Sequence, residues 1–387
     1  MKDSQQAAAD AFNQGVANFR ATQYQSALND FSRAIQLNPT DARFFGLRGL
    51  TYLSMANYEA CVADLDQATL LNPEYTTAYE KRAEALLALG KHEAALADAT
   101  RASKLTPTSP DAFVVRGDVL LALGAHEEAI ASYSHAIRYA PTVAHFHSSR
   151  GIAKAQSGDS HGAILDFDQA LQLDQALLEV YLLRAMEQFR ISNYNEALTD
   201  ANLAIKLNPN DSDAFRTRGI VRHYMGDSRG GLADINKALT IDPHSPTAYL
   251  YRGEVLVGLG DLKTAINDFD TFIKLDPKAY SGYKLRGQAK RALGDLTEAV
   301  ADYDKAIELA PDVAAVYNDR GIAKVHLRDF EGALSDFDEA LTLKPDFALA
   351  LCNRGGLREY LGDQEGAETD FQKAVQLDPE CVKKFRK

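Results

Sequence analysis

Tryptophan is absent from the 387 residues, and methionine (4), cysteine (3) and proline (12) are sparse. Cys61, Cys352 and Cys381 lie far apart, in none of the spacings that mark a redox motif, a zinc site or a disulfide framework. Reduced thiols in a cytoplasmic protein are the expectation. No apolar run approaches the roughly 18 residues of a membrane span, and MKDSQQAAADAFNQG lacks the apolar core of a secretory signal. Basic residues are outnumbered 42 to 54, for a net charge of −12. Such a chain is a poor partner for phosphate backbones or anionic lipid, so neither nucleic acid nor membrane is an expected ligand. HExxH, Gly-x-Ser-x-Gly and a glycine-rich phosphate loop are missing. The nine histidines are scattered, and His145 and His147, two apart, diverge on a helix. The expectation is a protein that is not an enzyme and takes no cofactor or metal. Its 46% hydrophobic and 25% charged residues are those of a folded protein.

The few prolines are ordered. Pro39, Pro73, Pro107, Pro141, Pro209, Pro243, Pro277, Pro311, Pro345 and Pro379 recur every 34 residues, with Gln175 filling the one vacant slot. A fixed period of this length marks an array of small units in place of two or three compact domains. With each proline at position 32, eleven units cover 374 residues. They are 8–41, 42–75, 76–109, 110–143, 144–177, 178–211, 212–245, 246–279, 280–313, 314–347 and 348–381, between an extension 1–7 and a basic tail 382–387.

Each unit reads as two short helices. Position 8 is glycine in nine units, among them Gly49, Gly117 and Gly253. A helix-interior glycine costs about 1 kcal/mol against alanine, so its recurrence predicts a neighbour too close for a Cβ. Position 15 is often glycine, as a left-handed C-cap, and a following aspartate (Asp159, Asp227, Asp261, Asp295, Asp363) suits the next N-cap. Asp295 with Glu298 has capping-box spacing. Alanine at positions 20 and 27 flanks a ring or aliphatic residue at 24 (Phe31, Tyr133, Phe167, Phe269, Tyr303) on one stripe of the second helix. Proline then closes the unit.

The pattern aromatic-x2-Arg-Gly, Gly-Asp, Ala-x3-Phe-x2-Ala and Pro, over about 97% of the chain, resembles the tetratricopeptide repeat (TPR) family. The family's usual tryptophan at position 4 is Phe or Tyr here. The resemblance implies an all-α fold, a TPR α-solenoid: a right-handed superhelix of helix-turn-helix repeats with a concave groove lined by first helices. It implies a protein–protein interaction scaffold, binding a peptide or helical segment.

Two charged positions stand out. Position 7 is arginine in ten units: Arg48, Arg82, Arg116, Arg150, Arg184, Arg218, Arg252, Arg286, Arg320 and Arg354. Position 23 is aspartate in ten: Asp30, Asp64, Asp98, Asp166, Asp200, Asp234, Asp268, Asp302, Asp336 and Asp370. Charges on a packed face should pair, since an unpaired buried charge is expensive. The first unit has Gln14 but keeps Asp30, so each aspartate is expected to pair with the arginine of the next unit, Asp30 with Arg48 and Asp336 with Arg354. Arg150 would then face Ser132 and mark a break in the ladder. Pairing within a unit is the rival.

The family's groove positions (2, 5, 6, 9, 12 and 13) place Leu47, Leu50 and Leu53, then Val114, Val115 and Leu121, then Leu182, Leu183, Met186, Phe189 and Arg190, and then Arg216, Ile220, His223 and Tyr224 in the groove. The sixth unit is the preferred binding site, with adaptable methionine and anchoring Phe and Arg. Packing between first helices is the alternative role for the apolar residues. Units eight to eleven are more polar there: Tyr251, Glu254, Lys284, Gln288, Arg291, Asn318, Asp319 and Asn353. The family's clamp for a C-terminal carboxylate is not reproduced: Lys284 begins it, but Gln288, Asp319, Leu349 and Asn353 follow. A second reading is self-assembly, a homo-oligomer through an exposed terminal repeat, since residues 382–387 are too few for the family's solvating helix; a piece of a larger protein or enzyme is a third.

Overall fold

The computed structural model describes residues 2–381, with side chains from Ser4 onward. The described residues form 22 α-helices, followed by the helical residues 379–381, and no strand. The chain divides into two compact units, Met1–Asp200 and Ala201–Lys387. The first contains α1 (Lys2–Arg20), α2 (Tyr24–Leu37), α3 (Ala42–Ser54), α4 (Tyr58–Leu71), α5 (Thr76–Ala88), α6 (His92–Leu105), α7 (Pro110–Ala122), α8 (His126–Tyr139), α9 (Ala144–Gln156), α10 (Ser160–Leu173) and α11 (Leu178–Arg190). The division falls within α12 (Tyr194–Leu207). The second unit holds α13 (Ser212–Tyr224), α14 (Ser228–Ile241), α15 (Pro246–Gly258), α16 (Leu262–Leu275), α17 (Tyr280–Leu293), α18 (Leu296–Leu309), α19 (Ala314–His326), α20 (Phe330–Leu343), α21 (Ala348–Leu361) and α22 (Gln364–Leu377). Each is an all-α solenoid of helical hairpins. The sequence predicts an extension over 1–7, but residues 2–7 continue α1; the basic tail 382–387 lies outside the described residues.

In nine of the hairpins the helices close over a position 8 that has no side chain. A Cβ on Gly253 would collide with Cε1 of Phe269, the ring at position 24 of the same hairpin. Phe269 and its flanking Ala265 are fully buried; a core ring of this kind contributes roughly 1.5–3 kcal/mol by burial. The turn at position 15 is left-handed in every unit. Seven glycines serve it, and Thr22, Ala56, Ser192 and Arg328 take the same positive φ without that freedom. Side chains of Asp159, Asp227, Asp261, Asp329 and Asp363 accept from the third amide of the following helix, whereas Asp295 makes no such bond. Tyrosines at position 4 tie down the preceding turn: Tyr249 and Tyr317 donate to the carbonyls of Pro243 and Pro311 at 3.2 and 3.1 Å. In the fifth unit His147 bonds the Pro141 carbonyl instead, at 2.9 Å.

The expected pairing of the charge ladder is overturned. Arg48 donates from Nε and Nη2 to both carboxylate oxygens of Asp64, in its own hairpin, at 2.7 Å each. The same bidentate bond joins Arg82 to Asp98, Arg150 to Asp166, Arg184 to Asp200, Arg218 to Asp234, Arg252 to Asp268, Arg286 to Asp302, Arg320 to Asp336 and Arg354 to Asp370. Asp30 is left to Asn18, which donates to it at 2.7 Å. The break falls at Arg116, which meets Ser132 at 2.8 Å, and not at Arg150. The cause is hairpin geometry: positions 7 and 23 are equidistant from the turn at 15, so antiparallel helices set them side by side.

A contact between units does exist, from the third guanidinium nitrogen. Nη1 of Arg82, Arg184, Arg320 and Arg354 donates to Asp66, Asp168, Asp304 and Asp338 at 2.6 Å, and that of Arg218 to Asn202 at 3.0 Å. These acceptors occupy position 25 of the preceding unit, which mirrors the arginine across the proline turn. The guanidinium also covers the position-4 ring, as Arg82 does Tyr79 at 5.3 Å. Each such arginine thus joins two helices of its own hairpin to the one before. A fork of this kind fixes geometry more than it adds net stability, because desolvation offsets much of the attraction.

Candidate functional site

First helices present positions 2, 5, 6, 9, 12 and 13 on one stripe. In the first unit of the fold, Leu47 and Leu50 on α3 and Leu121 on α7 are half-buried. Val115 is only 6% exposed, packed on Ala83 and Ala99. The third repeat carries alanine at both positions 8 and 24, and Val115 fills the space a ring takes elsewhere. It is a core residue and leaves the candidate surface. On α11, Leu182, Leu183, Met186 and Phe189 are half-buried, and Phe189 packs at a tilt on Tyr194 with centroids 5.6 Å apart. Arg190 is exposed, and Nη1 donates to the Ala155 carbonyl at the end of α9, at 3.2 Å. This bond fixes the adjacent first helices.

In the second unit of the fold, Tyr224 on α13 is 52% exposed, whereas Ile220 is fully buried and is also withdrawn from the surface. Arg216 pairs with Asp213 at 2.9 Å and covers the ring of Tyr251 on α15 at 5.6 Å. A cavity of about 260 Å³ opens beside them, lined by His223, Tyr224, Glu254, Val257, Leu285 and Gln288. The polar residues of the later repeats bond from one first helix to the next: Gln288 Nε2 donates to Asp319 at 2.6 Å, and Asn353 Nδ2 to Asn318 at 2.7 Å. Burial raises the carboxyls of Glu254 and Asp319 above the usual range; Lys284 opposes this at both, and at Asp319 the Gln288 bond and Arg291 do so too.

Counting apolar residues overlooks a set of carboxylates on α5 and α7. Glu80 and Glu84 stand at positions 5 and 9 of α5, Asp111 and Asp118 at positions 2 and 9 of α7. The signal was present, since these are groove positions bearing charge of one sign. Burial raises both Glu80 and Asp118; at Asp118, a bond donated by Tyr133 at 2.7 Å and the nearby His145 act the other way.

Chemically, these positions offer rings, aliphatic edges and charges, spread over many turns. Among the described residues no group of three His, Cys, Asp or Glu is placed to hold a metal ion, and no helix is long and apolar enough to cross a membrane. Cys61, Cys352 and Cys381 are free thiols, all buried; burial pushes Cys61 up to about 12, far from a reactive thiolate.

A tetratricopeptide repeat profile matches residues 47–110, 81–144, 114–179, 252–314 and 318–380, more than half of the chain. No curated protein matches it in sequence. Among solved structures, yeast Tom70 is 17% identical, covering 99% of this chain and 94% of its own, with a TM-score of 0.51. A tetratricopeptide repeat protein from Parabacteroides merdae is 18% identical, covering 69% of this chain and 98% of its own, with a TM-score of 0.52. At such identities the likeness concerns the fold alone. On the 34-residue hairpins, the Gly–ring contacts and the matched segments, the chain belongs to the tetratricopeptide repeat family.

Proposed function

We propose that this array is a non-enzymatic protein-interaction scaffold that binds an extended peptide or helix of another protein along its first-helix face, in the cytoplasm and without a cofactor. The observation that supports the reading is the set of half-exposed side chains on that face. Met186, Phe189, Leu182 and Leu183 cluster on α11, and Tyr224 stands out from α13. Rings and methionine beside polar groups are the usual composition of a binding surface. The test is affinity capture with wild type against Met186→Ala and Phe189→Ala. Loss of specific partners from the variants supports the sixth repeat as the site; equal recovery of every partner rejects it.

Self-assembly is the second reading. Val375 on α22 is exposed, while Leu341 at the same register of α20 is buried under the next hairpin. A second copy could stack there. Light scattering decides: a mass that stays at one chain over a wide concentration range removes it.

A further inference from the structure

The carboxylates Glu80, Glu84, Asp111 and Asp118 of α5 and α7 take no part in the ladder, and of the four only Asp118 bonds a core side chain, the Tyr133 hydroxyl. Glu80 is 8% exposed, at the position that Val114, Leu182 and Leu250 fill in other repeats. Among the described residues it makes no ion pair, and the hydroxyl of Ser109, at the start of α7, eases its charge. Burial raises its pKa, and Asp111 on α7 and Glu84 on α5, both of like charge, raise it further. Lys81, the one cation close by, is turned to Glu84, with Nζ 2.5 Å from Oε1. Further along the same face Asp118 is also set back from water, with Tyr133 donating to it, His145 beside it and Glu84 opposing it. Four carboxylates therefore share this stretch with one lysine and one histidine. Burying a carboxylate without a cation costs free energy that folding does not recover. Its retention at an apolar position points to a cation supplied from outside.

We propose that the face formed by α5 and α7 binds a basic segment of a partner protein, with Glu80 and Asp111 taking one lysine or arginine side chain between them and Asp118 with Glu84 forming a second, shallower acceptor. This rests on the groove reading above and gives it a chemistry. The arriving ammonium or guanidinium supplies the charge that Glu80 lacks, and the half-buried Leu87 and Leu121 flank the polar contact. The raised pKa of Glu80 fits the same picture, since a bound cation favours the ionised carboxylate that burial and its acidic neighbours disfavour.

The test uses the full chain, with nonapeptide pools whose central residue is fixed as arginine, lysine, norleucine or glutamate. Arginine and lysine pools should be retained at least tenfold over norleucine. Glu80→Gln with Asp111→Asn should bring that ratio within twofold while the norleucine pool is retained as before. The urea midpoint of Glu80→Gln should not fall, because the substitution removes an unpaired buried charge without changing shape. Three results overturn the proposal: no preference for basic pools, an unchanged preference in the double variant, or spermidine displacing the basic pool at equal concentration, which would assign the slot to a free polyamine. If no pool is retained by the wild type, the groove reading fails and the cation slot fails with it.

Discussion

Ser132→Asp should complete the ladder where it is broken. Arg116 has a single bond there, from Nη1 to the Ser132 hydroxyl at 2.8 Å. In the nine intact hairpins an aspartate at this register takes two charge-assisted bonds and is itself buried. Hydrogen bonds to charged groups contribute about 1.5–3 kcal/mol net. Against this stand the dehydration of the new carboxylate and loss of the bond Ser132 donates to the Glu128 carbonyl at 2.9 Å. The net gain should therefore be small, about 0.5–1 kcal/mol, while the coupling between the two residues stays large. A double-mutant cycle separates the terms: wild type, Ser132→Asp, Arg116→Met and both, read by amide hydrogen exchange over α7 and α8, because unfolding of a repeat array need not be two-state. The coupling expected with Arg116 is about 1.5–3 kcal/mol, and in a parallel cycle with Arg150→Met under about 0.5 kcal/mol. A larger coupling to Arg150 would restore pairing between units and refute the pairing of positions 7 and 23 within one hairpin.

Ala56 holds φ at 55°, so Ala56→Gly should stabilise its hairpin by about 0.5–1 kcal/mol, while Gly90→Ala, at φ 70°, should cost about 1 kcal/mol; urea midpoints of both variants check the sign. Glu187 is 4% exposed where Ala85, Ala153 and Ala323 sit in other repeats, and Arg190, 3.3 Å away, makes no aligned hydrogen bond to its Oε2. Glu187→Ala should raise stability by about 1–3 kcal/mol, and a loss on urea denaturation would show that the carboxylate is satisfied. The pH profile of stability should pass through a maximum below neutrality. Glu80 and Glu254 are held above their ordinary 4.5 and Asp118 and Asp319 above 3.8. The folded state then binds more protons than the unfolded one just above those values, so stability rises as pH falls through that window. Asp166 is held below 3.8 by Arg150 and Lys154 against its own burial, and its contribution is lost as pH falls further. Thermal melts from pH 7 to 3 should show the rise and then the fall, and a monotonic decline from neutrality would contradict the raised carboxyls.

The hairpins were legible because their packing rests on residues with few alternatives. Only glycine fits beneath Phe269 or Tyr133, only small residues let the helices approach, and proline marks the turns. The ladder was legible in composition but not in pairing. An aspartate at 23 and the next unit's arginine differ by half a helical turn from the register the proline turn dictates, and position 25, which does face it, varies among Asp, Asn, Ser, Thr and Gln. Reflecting positions through each turn finds both partners. The candidate surface was legible as a face and less so residue by residue. Val115 sank into the core because Ala99 left room for it, a compensation between neighbouring repeats that a position number does not show. Ile220 is buried too, and nothing in its register announces it. Glu80 stood in plain view, but its meaning depends on burial, which a sequence shows only through its neighbours.

The first-helix face as the binding surface is tested most directly by site-specific photo-crosslinking. The photoreactive residue benzoylphenylalanine is placed at Leu183 and Tyr224 on that face, and separately at Leu70 and Leu165 on second helices, where exposure is 73% and 68%. Partner adducts from positions 183 and 224, with none from 70 and 165, are the predicted result. Equal adducts from the second-helix positions, or adducts from those alone, would contradict it.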